Sequence, residues 1–341
     1  MAGAQQEPST RWDYRTLRGI IPTVLTPFEE DERVDEVALR AQVQYLLNAG
    51  VHGLVLLGSI GECAYLNDED RETVIRTAVD VARASSRSVP IVVGITAYST
   101  YMAAEQMRQA HRLGAQAVMV SVPQYFKLGF EDVKRHFVRL GALDLLPALY
   151  YHYPAVTGYK FGPAEIAELL ALPNVIGIKE TTFDLLSVRR HIERTRDLGR
   201  IFFAGSELVF SQFMDIGGHG VIGTGSLIMP QTAVSMYDAY GRGDRTKAVE
   251  LQAFLFETMP LAKDVRAPVD LVRTAFLLAI KQGVNVQLDA SPAQSRLKAA
   301  LAQRGVPIKP IARSPLPAFT PRDEAAVMQA MERIRRIEGT P

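Results

Sequence analysis

Cysteine is nearly absent. Cys63 stands alone in 341 residues, so no internal disulfide can form, which is compatible with a reducing compartment. An excess of charge of one sign is also lacking. The 38 basic and 37 acidic side chains leave a formal net charge of +1, which provides no electrostatic reason to bind nucleic acid or a membrane surface. No apolar run reaches the length of a membrane span. The N-terminal "MAGAQQEPSTRWDYRTLRG" has no apolar core of the signal-peptide kind. A cytoplasmic protein is the expectation. Histidine is scarce, and His52, His111, His136, His152, His191 and His219 show no metal-ligand spacing such as HxxxH, so no metal is expected. The first apolar run is followed by "TPFEEDERVD", which lacks GxGxxG, and no Walker-type lysine loop occurs.

What is present is a rhythm. Eight short apolar runs recur at 19–28, 53–59, 90–96, 115–123, 147–154, 175–181, 200–206 and 218–225. They are apolar throughout, as strands buried on both faces are. Amphipathic stretches separate them, among them 35–50, 67–86, 100–114 and 162–173. The stretch 67–86 opens on Asn67 or Asp68 as a cap with acids in its first turn, which suits the helix dipole. Eight strand–helix units predict an α/β fold, a (β/α)₈ TIM barrel. After residue 230 the strand pattern stops and only helical segments follow, ending with a Pro-rich stretch at 306–321 and a helix at 322–337. The expected organisation is a flexible lead over 1–14, a barrel over 15–230, and a C-terminal helical extension over 231–341.

In such barrels the chemistry sits at the C-terminal ends of the strands. There the chain places Ser59, Gly61 and Glu62 after run two and Tyr125 after run four. Tyr150, Tyr151 and His152 lie in run five and Lys179 in run six. Glu207 follows run seven, and Thr224, Gly225 and Ser226 follow run eight. Lysine, tyrosines and small hydroxyls on one rim suit amine catalysis better than metal catalysis. A lysine made neutral by apolar surroundings attacks a ketone to form a Schiff base. Ile176 and Ile178 are candidates for its walls. A tyrosine shuttles protons, and hydroxyls and N–H groups of a Gly-Ser loop hold a carboxylate. Glu62 is expected to tie down backbone N–H groups, and Cys63 to be a small buried residue.

"GSIGECAYL" (58–66), "YHYPAVTG" (151–158) and "GIKETT" (177–182) resemble, in order and spacing, the signature segments of the dihydrodipicolinate synthase / N-acetylneuraminate lyase family. The likeness spans roughly residues 15–310. It implies a class I, Schiff-base aldolase or a related lyase or dehydratase, acting on pyruvate or another 2-oxo acid without a cofactor. Carried over, it implies Lys179 as the Schiff-base lysine and Tyr151 as proton relay. Ser59, Ile60 and Gly61 belong to the loop that holds the substrate. Ile222 matches a position whose carbonyl lines the pyruvyl pocket, and Thr224 lies in the pocket-lining turn. Tyr125 matches a tyrosine that reaches into a neighbouring subunit's site, which implies a homodimer or a homotetramer. Two departures narrow the substrate. Val156 stands where true dihydrodipicolinate synthases carry an arginine. "GSEL" keeps Glu207, a substrate-binding candidate, but puts Leu208 where sialic acid lyases suggest a second acid. Tyr65, Tyr150 and Tyr153 suggest a flatter or less polar aldehyde. The expected reaction is aldol cleavage or condensation of a 2-oxo acid with an aldehyde. The alternatives are a dehydratase or hydratase-aldolase using the same imine, a non-catalytic 2-oxo-acid-binding paralogue, and a metal-dependent class II aldolase.

Overall fold

The computed structural model describes residues 13–339 apart from 88, 266 and 287–291. Most of the expected lead, residues 1–12, lies outside the described residues. Eight parallel strands follow one another around a closed sheet: β1 Gly19–Ile20, β2 Leu54–Leu56, β3 Ile91–Ile95, β4 Ala117–Val120, β5 Ala148–His152, β6 Val175–Glu180, β7 Ile201–Ala204 and β8 Gly220–Val221. Neighbours in sequence are neighbours in the sheet, and β8 returns to β1. The seam between β1 and β2 closes through the Thr23–Val55 bridge. Val24 N–H donates to the Val55 carbonyl at 2.8 Å, and Val55 N–H to the Pro22 carbonyl at 3.0 Å. The fold is thus the (β/α)₈ barrel the eight apolar runs predict.

Two apolar layers hold it. Leu17, Ile21, Val55, Met119, Ile176 and Phe203 belong to an inner cluster that fills the barrel. Alternate residues of the same strands, such as Leu54, Leu56, Val118 and Ile178, join an outer cluster against the helices. Period-two alternation sorts most strand residues into one layer or the other. In β6 a register shift against β5 between Ala148 and Leu149 breaks it, so Ile176 and Lys179, three residues apart, both lie on the inner side. This corrects one expectation: Ile178 faces the helices and cannot wall Lys179, whereas Ile176 lies on the inner side. Gly177 is required between them, since a Cβ there would meet the Ile201 carbonyl oxygen at 2.0 Å.

The helices start where the sequence signals a start. Asp35 caps Glu36–Asn48 by accepting from Ala38 N–H. Asn67 caps Asp68–Ala84 in a reciprocal capping box with Asp70. Beyond β8 the structure is helical, from Gly225–Ile228 to a final helix, Pro321–Glu338. Val327, Ala330, Met331 and Ile334 form the buried stripe of that last helix, at the i, i+3, i+4, i+7 spacing. Among the described residues, no helix is long and apolar enough to cross a membrane.

Candidate active site

The carboxyl ends of the strands surround a cavity of about 350 Å³, within the ~300–1,000 Å³ range of small-molecule sites. Register explains who meets whom there. On the adjacent parallel strands β5 and β6, Tyr151 and Lys179 are direct partners, so their side chains leave the sheet on the same, inner face. Tyr150 and His152 leave on the other face. Tyr150 packs edge-on against Phe137 at 5.6 Å, and His152 Nδ1 meets the Glu180 carboxylate at 2.9 Å. Burial raises the Glu180 carboxyl, but His152, His191 and the Thr182 N–H together outweigh it and hold the group below its ordinary value.

Lys179 is 5% exposed, and its Nζ lies 4.4 Å from the centre of the Tyr151 ring. Among the described residues, no hydrogen bond reaches that amine. Burial lowers its pKa to about 7, with Glu207 opposing the shift. About half of such amines are neutral near pH 7, which meets the electronic requirement for a nucleophile. Tyr151 Oη lies 3.4 Å from Ser59 Oγ, on the far side of the barrel rim. Burial holds the Tyr151 phenol well above its ordinary value, so it stays protonated at neutral pH.

The loop after β2 is tightly folded. Leu57 and Glu62 both adopt left-handed backbone, with φ of 55° and 61°. Gly61 N–H donates to the Gly58 carbonyl at 3.0 Å, and its carbonyl accepts from Thr26 Oγ1 at 2.7 Å. A Cβ on Gly61 would meet the Val24 carbonyl at 2.9 Å. Gly61 is therefore a structural corner, and it does not line the cavity. Ser59 and Ile60 do line the cavity, and among the described residues their N–H groups find no acceptor. Glu62 is fully buried. Its carboxylate accepts from Lys298 Nζ at 2.6 Å and from Arg313 N–H at 2.8 Å.

Other candidates separate in the same way. Thr224 lines the cavity. Glu207 does not: it is buried, and its oxygens accept from the N–H groups of Gly225 at 3.1 Å and Ser226 at 2.8 Å. It braces the turn after β8 and has no oxygen committed to a substrate. Ile222 is sealed in the inner apolar cluster and does not line the cavity. Tyr125 stands outside the cavity at 76% exposure, edge-on to Tyr98 at 6.2 Å and Phe126 at 4.9 Å. A single chain thus brings together Lys179, Tyr151, Ser59, Ile60 and Thr224, and leaves Tyr125, Gly61, Ile222 and Glu207 aside.

Several lining residues carried no signal in the sequence. Thr96 and Ser121 place hydroxyls 3.4 Å apart, and Thr181 follows β6. Cys63 lines the cavity half-buried, with Sγ 3.5 Å from Thr96 Oγ1, where full burial was expected. Burial raises its thiol pKa, so it remains a protonated, unreactive group. Gln294, Ala293 and Leu316 reach the cavity from the C-terminal extension. Among the described residues, no group of three His, Cys, Asp or Glu side chains is placed to hold a metal.

The family model of the dihydrodipicolinate synthetase family matches residues 16–279. The 4-hydroxy-tetrahydrodipicolinate synthase of Methanoculleus marisnigri is 34% identical over 279 residues, covering 80% of this chain and 94% of the relative. Among solved structures, YagE, a prophage protein of the dihydrodipicolinic acid synthase family from E. coli K12 in complex with pyruvate, superposes with a TM-score of 0.78. It is 26% identical, covering 94% of this chain and 99% of that one. The sialic acid aldolase of Ruminococcus gnavus superposes with a TM-score of 0.80 at 21% identity, covering 95% of this chain and 99% of that one, a likeness of fold.

Proposed function

The chain belongs to the dihydrodipicolinate synthetase family and is a lyase of that family; on this premise we propose that it is a class I aldolase working through an imine on Lys179. The carrying observation is that lysine itself. It is buried and free of hydrogen bonds among the described residues. Its pKa is pushed to about 7, and it faces Tyr151 in a cavity whose lining also brings the Ser59, Thr96, Ser121, Thr181 and Thr224 hydroxyls. The neighbour of known ligand, YagE, was solved with pyruvate, and a 2-oxo acid is the substrate proposed here.

The neutral amine attacks C2 of the 2-oxo acid and the ketone oxygen leaves as water. The protonated imine then withdraws electrons, so that C3 gives up a proton to the Tyr151 relay and becomes an enamine. The enamine adds to an aldehyde carbon while the aldehyde oxygen takes up a proton from the same relay, and cleavage runs these steps in reverse. The substrate carboxylate sits on the Ser59 and Ile60 N–H groups and the Ser59 hydroxyl. Tyr151 keeps its proton at neutral pH, so it acts as a relay. It accepts a proton from one side while passing its own to Ser59 Oγ at 3.4 Å. No cofactor takes part in this scheme. Val156, half-exposed in the cavity wall, offers no charge for a second carboxylate. Aspartate semialdehyde is accordingly not the proposed partner.

The active unit proposed is a homodimer or a larger assembly of dimers. Tyr98, Tyr101, Tyr125 and Phe126 are all exposed by more than two thirds, and Tyr98, Tyr125 and Phe126 pack edge to edge at the surface. A second copy covering this patch would bring Tyr125 toward a relay it does not touch within one chain. Sedimentation showing an active monomer would remove Tyr125 from the mechanism.

The test of the chemistry is mass spectrometry after borohydride reduction in the presence of pyruvate. The expected result is one reduced pyruvyl group on the Lys179 peptide. A folded protein without adduct refutes the imine, and an adduct on another lysine refutes the site.

A further inference from the structure

The cavity is graded along its depth. Thr23, Tyr151 and Lys179 are nearly inaccessible at its inner end and polar. Toward the solvent the lining gains a group of larger apolar and aromatic side chains, Tyr65, Tyr153, Val156, Phe183 and Leu316, half-buried or exposed, beside the polar Gln124, Thr181 and Ser206. The Lys263 side chain also lines the cavity, but it is engaged within the protein. A hydroxyl carried into an apolar wall loses water without gaining a partner, at a cost of about 1–3 kcal/mol. An apolar body loses nothing there and removes the wall from water.

Leu316 lies beyond the residues that the family model matches, and its position is enforced by ties to the barrel. Arg313 donates its main-chain N–H to Glu62 at 2.8 Å, and its guanidinium reaches Asp70 and the carbonyls of Tyr65 and Glu32. Lys298 Nζ, itself fully buried, bridges Glu62 and the Ile311 carbonyl. Gln294 donates its amide to the Ser59 carbonyl at 3.2 Å. The segment is thus strapped to the same loop, 58–62, that carries the proposed carboxylate site. A wall anchored at this many points keeps its shape when a ligand presses on it.

We infer that the C-terminal segment over 292–316 is a wall of the active site, with Leu316 as a specificity-determining residue, and that it selects 2-oxo acids extended at C3 by a flat, apolar body. The inference rests on the imine reading above, which supplies the inner anchor. The corresponding second substrate is an aromatic or otherwise apolar aldehyde.

The test uses the full chain and two ligands, pyruvate and 2-oxo-4-phenylbutanoate. The second has the skeleton made by joining pyruvate C3 to benzaldehyde, without the hydroxyl that permits cleavage. Each forms an imine by losing its ketone oxygen as water, and borohydride delivers hydride to the C=N carbon to leave a stable secondary amine. The concentration giving half-maximal adduct on Lys179 is read for each ligand. In the unaltered protein, the phenyl-bearing acid is expected to half-saturate at about tenfold lower concentration than pyruvate. Leu316→Asp should erase that preference and Leu316→Ala should reduce it, with the pyruvate value changing by no more than about twofold. Adducts with both acids at equal half-saturation, or a preference unmoved in both variants, overturn the wall while leaving the imine intact. Adduct with neither acid overturns the imine reading, and the inference with it.

Discussion

Two lysines are buried in this molecule, and they do opposite things. Lys298, in the helical extension, is 0% exposed and spends its protons on Glu62 at 2.6 Å and on the Ile311 carbonyl. Burial lowers its pKa to about 8, with Glu62 opposing the shift. Lys179, at the barrel mouth, is 5% exposed and lowered to about 7, yet it has no hydrogen bond among the described residues and it faces a cavity. Burial by itself therefore does not make a nucleophile. What differs is the partner set: a carboxylate and a carbonyl clamp the first amine, whereas the second has no hydrogen bond among the described residues and faces Tyr151 and the cavity, as the proposed imine chemistry requires.

The sharpest way to separate the two is to remove each amine. Lys179→Ala should abolish the borohydride-trapped adduct and lower turnover by at least ~10³-fold, with little change in urea unfolding. Lys298→Met should do the reverse, leaving the adduct but lowering stability by about 3 kcal/mol in urea unfolding, because Glu62 stays buried without its charged partner. If both variants lose the adduct while folded, the distinction between clamp and nucleophile fails.

A smaller effect is expected at the residue that faces the free amine. Tyr151→Phe should still trap pyruvate on Lys179 but lower aldol turnover by ~10²-fold or more, since the imine forms while the proton relay to Ser59 is lost. Unchanged turnover would remove Tyr151 from the relay.

The mildest perturbation is pH. Lys179 has a lowered folded pKa, so its proton returns as pH falls through about 7, and only the deprotonated amine attacks. The rate of pyruvate adduct formation should be level above that point and fall about tenfold per unit below it. A rate that falls only below pH 5 would mean the amine is not the titrating group. Lys298 makes no contact with the cavity, so Lys298→Met should leave that profile in place.

The barrel was legible because its strands are short, apolar on both faces and evenly spaced, which suits a closed parallel sheet better than an open doubly wound one. The caps were legible too, down to Asn67, since a local side chain satisfies a local N–H. Alternation put Tyr150 and Tyr151 on opposite faces and the spacing to Pro154 favoured Tyr151, the residue whose register pairs it with Lys179. The same rule, applied to Ile178, already argued against its walling the lysine.

Other assignments failed for a reason of accounting. Glu207 and Gly61 stand in the right loops but do not line the cavity, and their polar groups meet backbone: the N–H groups of Gly225 and Ser226 for the first, the Gly58 carbonyl for the second. A sequence shows which donors and acceptors exist and says nothing of which are already paired. Tyr125 failed within one chain because its side chain turns to the surface.

By itself, then, the sequence determined the periodic quantities: eight strands, the face of strand residues wherever alternation is unbroken, the helix starts, and a lysine at the end of the sixth strand. These depend on neighbours within a few residues, where pattern and propensity act. Only the tertiary structure decided that Gln294 would hold the Ser59 carbonyl across 235 residues and that Lys298 would hold Glu62 across 236. It alone placed Leu316 in the cavity wall. Such contacts follow from how a closed barrel and its helical extension pack together in space. No local period in the chain encodes them.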